Sequence, residues 1–154
     1  MEPVRLSMLT LAKGMVRLNV AEHPKGHNAG EIVSKIIELQ GGHDGDPYCA
    51  AGWAFMYELA HDVTKTQKAF DPGLSTSGIV RMGKASNRLT TMPFCGDAVC
   101  YIGGPTGYYH TGMFGEWIDK NAGTFWTIEF NVGDAVLQKT RSIHTTPAVF
   151  ISCL

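Results

Sequence analysis

From Val4 to Val16 the apolar positions recur at helical spacing, and from Glu31 to Leu39 they do so again, with Ile32, Ile36 and Leu39 on one face and Lys35 exposed. Both segments read as amphipathic helices. Between Cys49 and Ala60 the pattern changes, because Trp53, Phe55, Met56, Tyr57 and Leu59 leave almost no polar face. That predicts a central helix packed from several sides. Val63 to Pro93 is mixed, with a turn at Asp71-Pro72-Gly73 and a short helix expected within Ser77 to Leu89. After Cys95 the period shortens. Asp97 to Ile102, Tyr108 to Phe114, Phe125 to Asn131, Ala135 to Lys139 and Ala148 to Ser152 are rich in β-branched and aromatic residues and are separated by Gly, Pro, Asn and Asp. They read as short strands joined in antiparallel hairpins. Helices first and strands afterwards predict an α+β fold in which N-terminal helices and a central buried helix pack on one antiparallel sheet.

The chain of 154 residues is 44% hydrophobic and 18% charged, enough apolar material for one domain over residues 1–154. A net charge of -1, with Lys and Arg scattered, leaves no electrostatic footprint for nucleic acid. Met1 to Val20 carries Arg5, Lys13 and Arg17 among its apolar residues, so it reads neither as a signal peptide nor as a membrane span. The expectation is a soluble protein made in the cytoplasm, monomeric and without stable membrane association. Cys49, Cys95, Cys100 and Cys153 fit neither a disulfide framework nor a common zinc spacing, and three of the four are expected simply to pack. His23, His27, His43, His61 and His144 lie mostly in polar or turn-rich surroundings and are expected to be solvated.

Cys49 is the cysteine with chemistry in its surroundings. Asp46 is a good N-cap residue and Pro47 suits the first helical position, which places Cys49 near the third. Unpaired N–H groups and the positive end of the helix dipole favour thiolate over thiol there. The structural alternative is a small buried hydrophobe.

Period-two alternation adds a second group. Tyr108, His110, Gly112 and Phe114 share one strand face, and Thr127, Glu129 and Asn131 share one face of the next, opposite Trp126, Ile128 and Phe130. A histidine beside a carboxylate and an amide on its hairpin neighbour is a geometry that fixes one imidazole tautomer and turns the other nitrogen toward a nucleophile. A solvent-facing polar stripe is the alternative.

These residues carry a resemblance. Asp46-Pro47-Tyr48-Cys49-Ala50-Ala51-Gly52-Trp53 resembles the helix start of the CHAP family, the cysteine- and histidine-dependent amidohydrolases and peptidases of the NlpC/P60-like, papain-type fold. Gly96-Asp97-Ala98-Val99 is similar to the family's Gly-Asp strand, and Tyr109-His110-Thr111-Gly112 resembles its Gly-His-x-Gly with Tyr109 replacing glycine. Thr127-Ile128-Glu129-Phe130-Asn131 resembles its Glu-x-Asn strand, and Asp134 through Lys139-Thr140-Arg141-Ser142 resembles a charged segment of phage members. The matches run in order over roughly Gly30 to Leu154.

The resemblance implies a single CHAP-like catalytic domain with Cys49 as nucleophile, His110 as general base and acid, and Glu129 orienting the imidazole, with Asn131 competing for that role. Backbone N–H groups at the helix start and the Tyr48 hydroxyl would hold the oxyanion, and Tyr108, Tyr109, Trp53 and Trp117 would line a substrate groove shaped by Val63 to Pro93 and the Gly103 to Gly107 loop. It implies a peptidoglycan substrate cut at the muramoyl-L-alanine amide or within the stem peptide or cross-bridge. It also implies a phage endolysin that accumulates in the host cytoplasm and reaches the wall after a holin opens the membrane. A virion-associated or effector-type wall amidase, or a non-catalytic wall-binding module of the same fold, remain alternatives. A papain-like amidase acting on protein has no positive feature here. Asp44 and Asp46, just ahead of the cysteine, raise calcium, but two carboxylates do not complete an oxygen shell, so no cofactor is expected.

Overall fold

A computed structural model describes residues 1–105 and 107–154. Among the described residues four helices precede all of the strands: α1 (Pro3–Arg17), α2 (Glu31–Leu39), α3 (Cys49–Thr64) and α4 (Thr76–Ala85). The strands are β1 (Leu89–Thr90), β2 (Ala98–Ile102), β3 (Tyr108–Asp119), β4 (Thr124–Val132), β5 (Ala135–Ser142) and β6 (Ala148–Ile151). They form one antiparallel sheet in the order β1-β6-β2-β3-β4-β5. The fold is α+β, as the order of patterns predicts. β1 escapes the sequence pattern because two residues are too few to show alternation.

Alternation along β2 divides the apolar residues between the two faces of the sheet. Ala98 and Cys100 join Met113, Ile128, Phe130 and Ile151 in a core shared with the helices, while Val99 and Tyr101 join Phe114, Phe125 and Phe150 in a second cluster. Trp53 is fully buried and stacks on Tyr57 at 5.1 Å, so the central helix is as enclosed as its missing polar face implies. On α2 the buried face is Val33, Ile36 and Ile37, whereas Ile32 and Leu39 are exposed. Ile32-Ile36-Leu39 and Val33-Ile36-Ile37 are both compatible with a helix, and packing against α3 selects the second.

Two features seat α3. A Cβ on Gly52 would come within 2.2 Å of the Phe130 ring, so only glycine lets the first turn lie this close to β4. Trp53 Nε1 donates to the Gly96 carbonyl at 3.0 Å, which ties the helix to the approach to β2. The adjoining Asp97 is almost fully buried: Oδ1 accepts from Arg5 Nη1 at 2.6 Å and from the Cys153 N–H at 3.0 Å, and Oδ2 accepts from the Phe94 N–H at 2.8 Å. The Gly-Asp pair thus holds α1, the entry to β2 and the C-terminal segment together. His61 departs from expectation: it is buried, with Nδ1 2.8 Å from Thr66 Oγ1, because α3 runs one turn beyond Ala60 and carries the ring inward. No helix among the described residues is long and apolar enough to cross a membrane.

Removing one partner of a buried ion pair leaves an uncompensated charge. Asp97→Ala is therefore expected to lower unfolding free energy by roughly 3 kcal/mol, measured by urea denaturation; a change under about 1 kcal/mol would show that Arg5 finds water instead.

Candidate active site

Cys49 is the first residue of α3, not the third. Asp46 does not cap the helix: its Oδ2 accepts the His43 N–H at 2.8 Å and its own N–H donates to the His43 carbonyl at 3.0 Å, closing a turn of its own. Tyr48 takes the N-cap position without a side-chain bond. The first intrahelical bond runs from the Gly52 N–H to the Tyr48 carbonyl at 2.8 Å, so the earlier N–H groups face out of the helix end beside the sulfur.

His110 and Glu129 come from neighbouring strands, with Gly112 of β3 directly opposite Glu129 of β4. A Cβ on Gly112 would stand 2.8 Å from Glu129 Cγ. The absent side chain opens a path for the carboxylate to reach diagonally to His110, whose Nε2 lies 2.9 Å from Glu129 Oε2. The other ring nitrogen, Nδ1, remains for Cys49. Thr127 and Glu129 are both wholly buried, so this polar face is no solvent stripe. Asn131 drops out of it. Its backbone turns to φ 59°, a left-handed conformation that asparagine tolerates, and its Nδ2 donates to Asn28 Oδ1 at 2.8 Å. Glu129, and not Asn131, holds the imidazole.

Glu129 accepts four further bonds. Oε1 receives the Tyr101 hydroxyl at 2.8 Å, the Thr127 hydroxyl at 2.7 Å and Arg141 Nε at 2.7 Å, while Oε2 receives Arg141 Nη2 at 2.5 Å. Tyr101 also lies parallel to the His110 ring, centroids 5.7 Å apart and planes at 10°, and the Arg141 guanidinium sits 5.4 Å from the Tyr101 ring centre. Tyr101 and Arg141 escape a reading of sequence alone. Arg141 lies in the charged tail segment, but only the β4–β5 register of the folded sheet turns it toward Glu129.

The electrostatics follow from this geometry. Burial opposes charge on Cys49, but the hydrogen bond to His110, the imidazolium charge and the N–H groups of Thr111 and Ala50 outweigh it, so the thiol lies below its ordinary pKa. The other cysteines go the opposite way: burial pushes Cys95 to about 11 and Cys100 to about 12. Burial also disfavours the His110 cation, yet its bonds to Cys49 and Glu129 prevail and raise it to about 9. Burial would raise Glu129 too, but the bonds from Arg141, His110 and Thr127 hold it well below the carboxylate range.

A groove of about 420 Å³ opens beside Cys49, lined by Asp46, Pro47 and Ala50 on one side and by Leu74 to Ser77, Tyr108 and Tyr109 on the other. The segment ahead of α4 thus shapes it as anticipated. Tyr109 is largely exposed over Gly103 and Gly104, and Thr106 of that loop lies outside the described residues. Trp53 and Trp117 do not line the groove. Trp53 is in the main core, and Trp117 packs edge-on against Phe114, Phe125 and Phe150. Tyr48 is also corrected: its side chain has no exposed surface, and burial together with the Glu22 charge raises its phenol pKa. Its hydroxyl is buried with the core and is not presented to the groove as an oxyanion donor. Among the described residues no three His, Cys, Asp or Glu side chains gather as a cation shell.

Of the four cysteines, Cys49 alone combines partial exposure with a lowered pKa. Brief iodoacetamide treatment at pH 7 is expected to alkylate Cys49 at least ten-fold faster than Cys95, Cys100 or Cys153, read by peptide mass spectrometry. Equal labelling of Cys49 and Cys95 would remove the thiolate. Comparison with models of known protein families, with curated proteins and with solved structures finds no match to this chain.

Proposed function

We propose that this protein is a cysteine amidohydrolase of the papain-like NlpC/P60/CHAP type that cleaves an amide bond of bacterial peptidoglycan, as a muramoyl-L-alanine amidase or a stem-peptide or cross-bridge endopeptidase. The observation that carries the chemistry is the buried Glu129 bonded to Nε2 of His110, with the lowered Cys49 thiol on the ring's other side. The peptidoglycan substrate and the endolysin role rest on the ordered resemblance of the Cys49, His110 and Glu129 segments to that family.

In this reading the Cys49 thiolate attacks the scissile carbonyl carbon, and the carbonyl electron pair moves to oxygen, where N–H groups at the start of α3 receive it. Collapse of the tetrahedral intermediate breaks the C–N bond as His110 Nδ1–H protonates the departing amine. A thioester remains on Cys49. His110, now neutral, takes a proton from water, and the hydroxide attacks the thioester to release the carboxylic acid and restore the thiolate–imidazolium pair. Glu129 stays ionised throughout and keeps the ring from turning.

Turbidity loss of purified peptidoglycan, with released ends identified by mass spectrometry, tests this reading. Wild type is expected to lyse, Cys49→Ala and His110→Ala to lose at least about 1,000-fold in rate, and Glu129→Gln roughly 100-fold or more. Failure of the folded wild type on walls of several chemotypes, or lysis by both alanine variants, would leave a binding role. Since the active form needs the imidazolium, kcat/KM is expected to fall as pH rises through about 9, where His110 loses its proton. A rate that keeps climbing past pH 10 would contradict the ion pair.

A further inference from the structure

Glu129 has no exposed surface, and a buried carboxylate reverts to its neutral acid unless cations and donors hold the charge. A neutral acid would turn one oxygen from acceptor to donor and weaken its grip on His110. Of the groups around it, Arg141 touches both oxygens, Nε on Oε1 and Nη2 on Oε2. That paired contact fixes the plane of the carboxylate as well as its charge. Arg141 stands opposite Phe125 in the β4–β5 ladder, so its side chain reaches back past Thr127 along the hairpin, braced on the Tyr101 ring. The titratable groups around this site are Tyr101 from β2, His110 from β3, Glu129 from β4, and Arg141 and Lys139 from β5, with Cys49 from α3 and Cys100 from β2 on the helix side of the sheet.

We propose that Arg141 is a positioning residue: its guanidinium keeps Glu129 ionised and aimed at His110 Nε2, and so sets the pH range in which Cys49 is a thiolate. This rests on the reading of Cys49 and His110 as nucleophile and base. The charges then alternate along one line, thiolate, imidazolium, carboxylate and guanidinium, each beside an opposite partner. That alternation is what allows Glu129 to be charged without water. Removing the terminal cation raises the pKa of every acid in the line, since each loses a favourable field for its more negative form. The whole active range then moves to higher pH.

The test is the pH dependence of Cys49 alkylation by iodoacetamide, which needs no wall substrate, in wild type, Arg141→Met and Arg141→Lys, with folding checked by circular dichroism. In wild type the reactivity midpoint should lie well below that of an ordinary thiol. Arg141→Met should move it up by about one pH unit or more, and Arg141→Lys, which keeps the charge but not the fork, should move it part of the way. On purified wall, Arg141→Met should lower kcat at pH 7 at least ten-fold with KM unchanged. If Arg141→Met does not fold, the Arg141→Lys profile decides alone: a shift in the same direction supports the proposal. Variant profiles that superimpose on a low wild-type midpoint would overturn the role of Arg141 alone. A wild-type midpoint like that of free cysteine would sink the ion pair, and this proposal with it.

Discussion

The charge on Glu129 is the constraint around which this site is built. A carboxylate without water is costly, and here five hydrogen bonds from four side chains hold the charge: one each from Tyr101, Thr127 and His110, and two from Arg141. They come from β2, β3, β4 and β5. A one-residue slip of any of these strands would send its donor to the opposite face of the sheet. Correct register and a satisfied charge are therefore one condition, and the same register delivers the imidazole. The alternative, Asn131, is removed by a local event, the left-handed turn of its backbone that leads β4 into the hairpin.

The second condition is the placement of the α3 N-terminus, where the sulfur sits. Gly52 lets the first turn lie against Phe130, and the Trp53 indole fixes the helix to the Gly96 carbonyl. Asp97 then ties that same loop to α1 through Arg5 and to the chain end through the Cys153 N–H. Helix layer and sheet are thus joined a few residues from Cys49. The four cysteines show what this placement does. Cys95, Cys100 and Cys153 are raised by burial, whereas Cys49 is lowered despite burial because a cation and backbone N–H groups meet it.

Much of the architecture is legible along the chain. Amphipathic spacing locates α1 and α2, the missing polar face marks α3 as central, and short runs of β-branched and aromatic residues between Gly, Pro, Asn and Asp find β2 to β6. Cys49, His110 and Glu129 stand out as well, since a helix-start sulfur and a polar strand face are local patterns. What the pattern does not carry is which of two plausible apolar faces packs, as with Val33 and Ile37 in place of Ile32 and Leu39 on α2. Nor does it tell a groove aromatic from a core aromatic: Trp53 and Trp117, expected at the groove, pack in the two cores instead.

Local patterns along the chain specify every described element but β1, their α+β order, and the sulfur, imidazole and carboxylate of the candidate site, because each is written within a few neighbouring positions. It takes the folded chain to bring Glu129 rather than Asn131 to His110, to make Asp46 close a turn instead of capping α3, and to set Tyr101 and Arg141 around Glu129. Those choices depend on cross-strand register and on competition for buried donors. Neither exists until residues far apart in the chain have been brought out of water together.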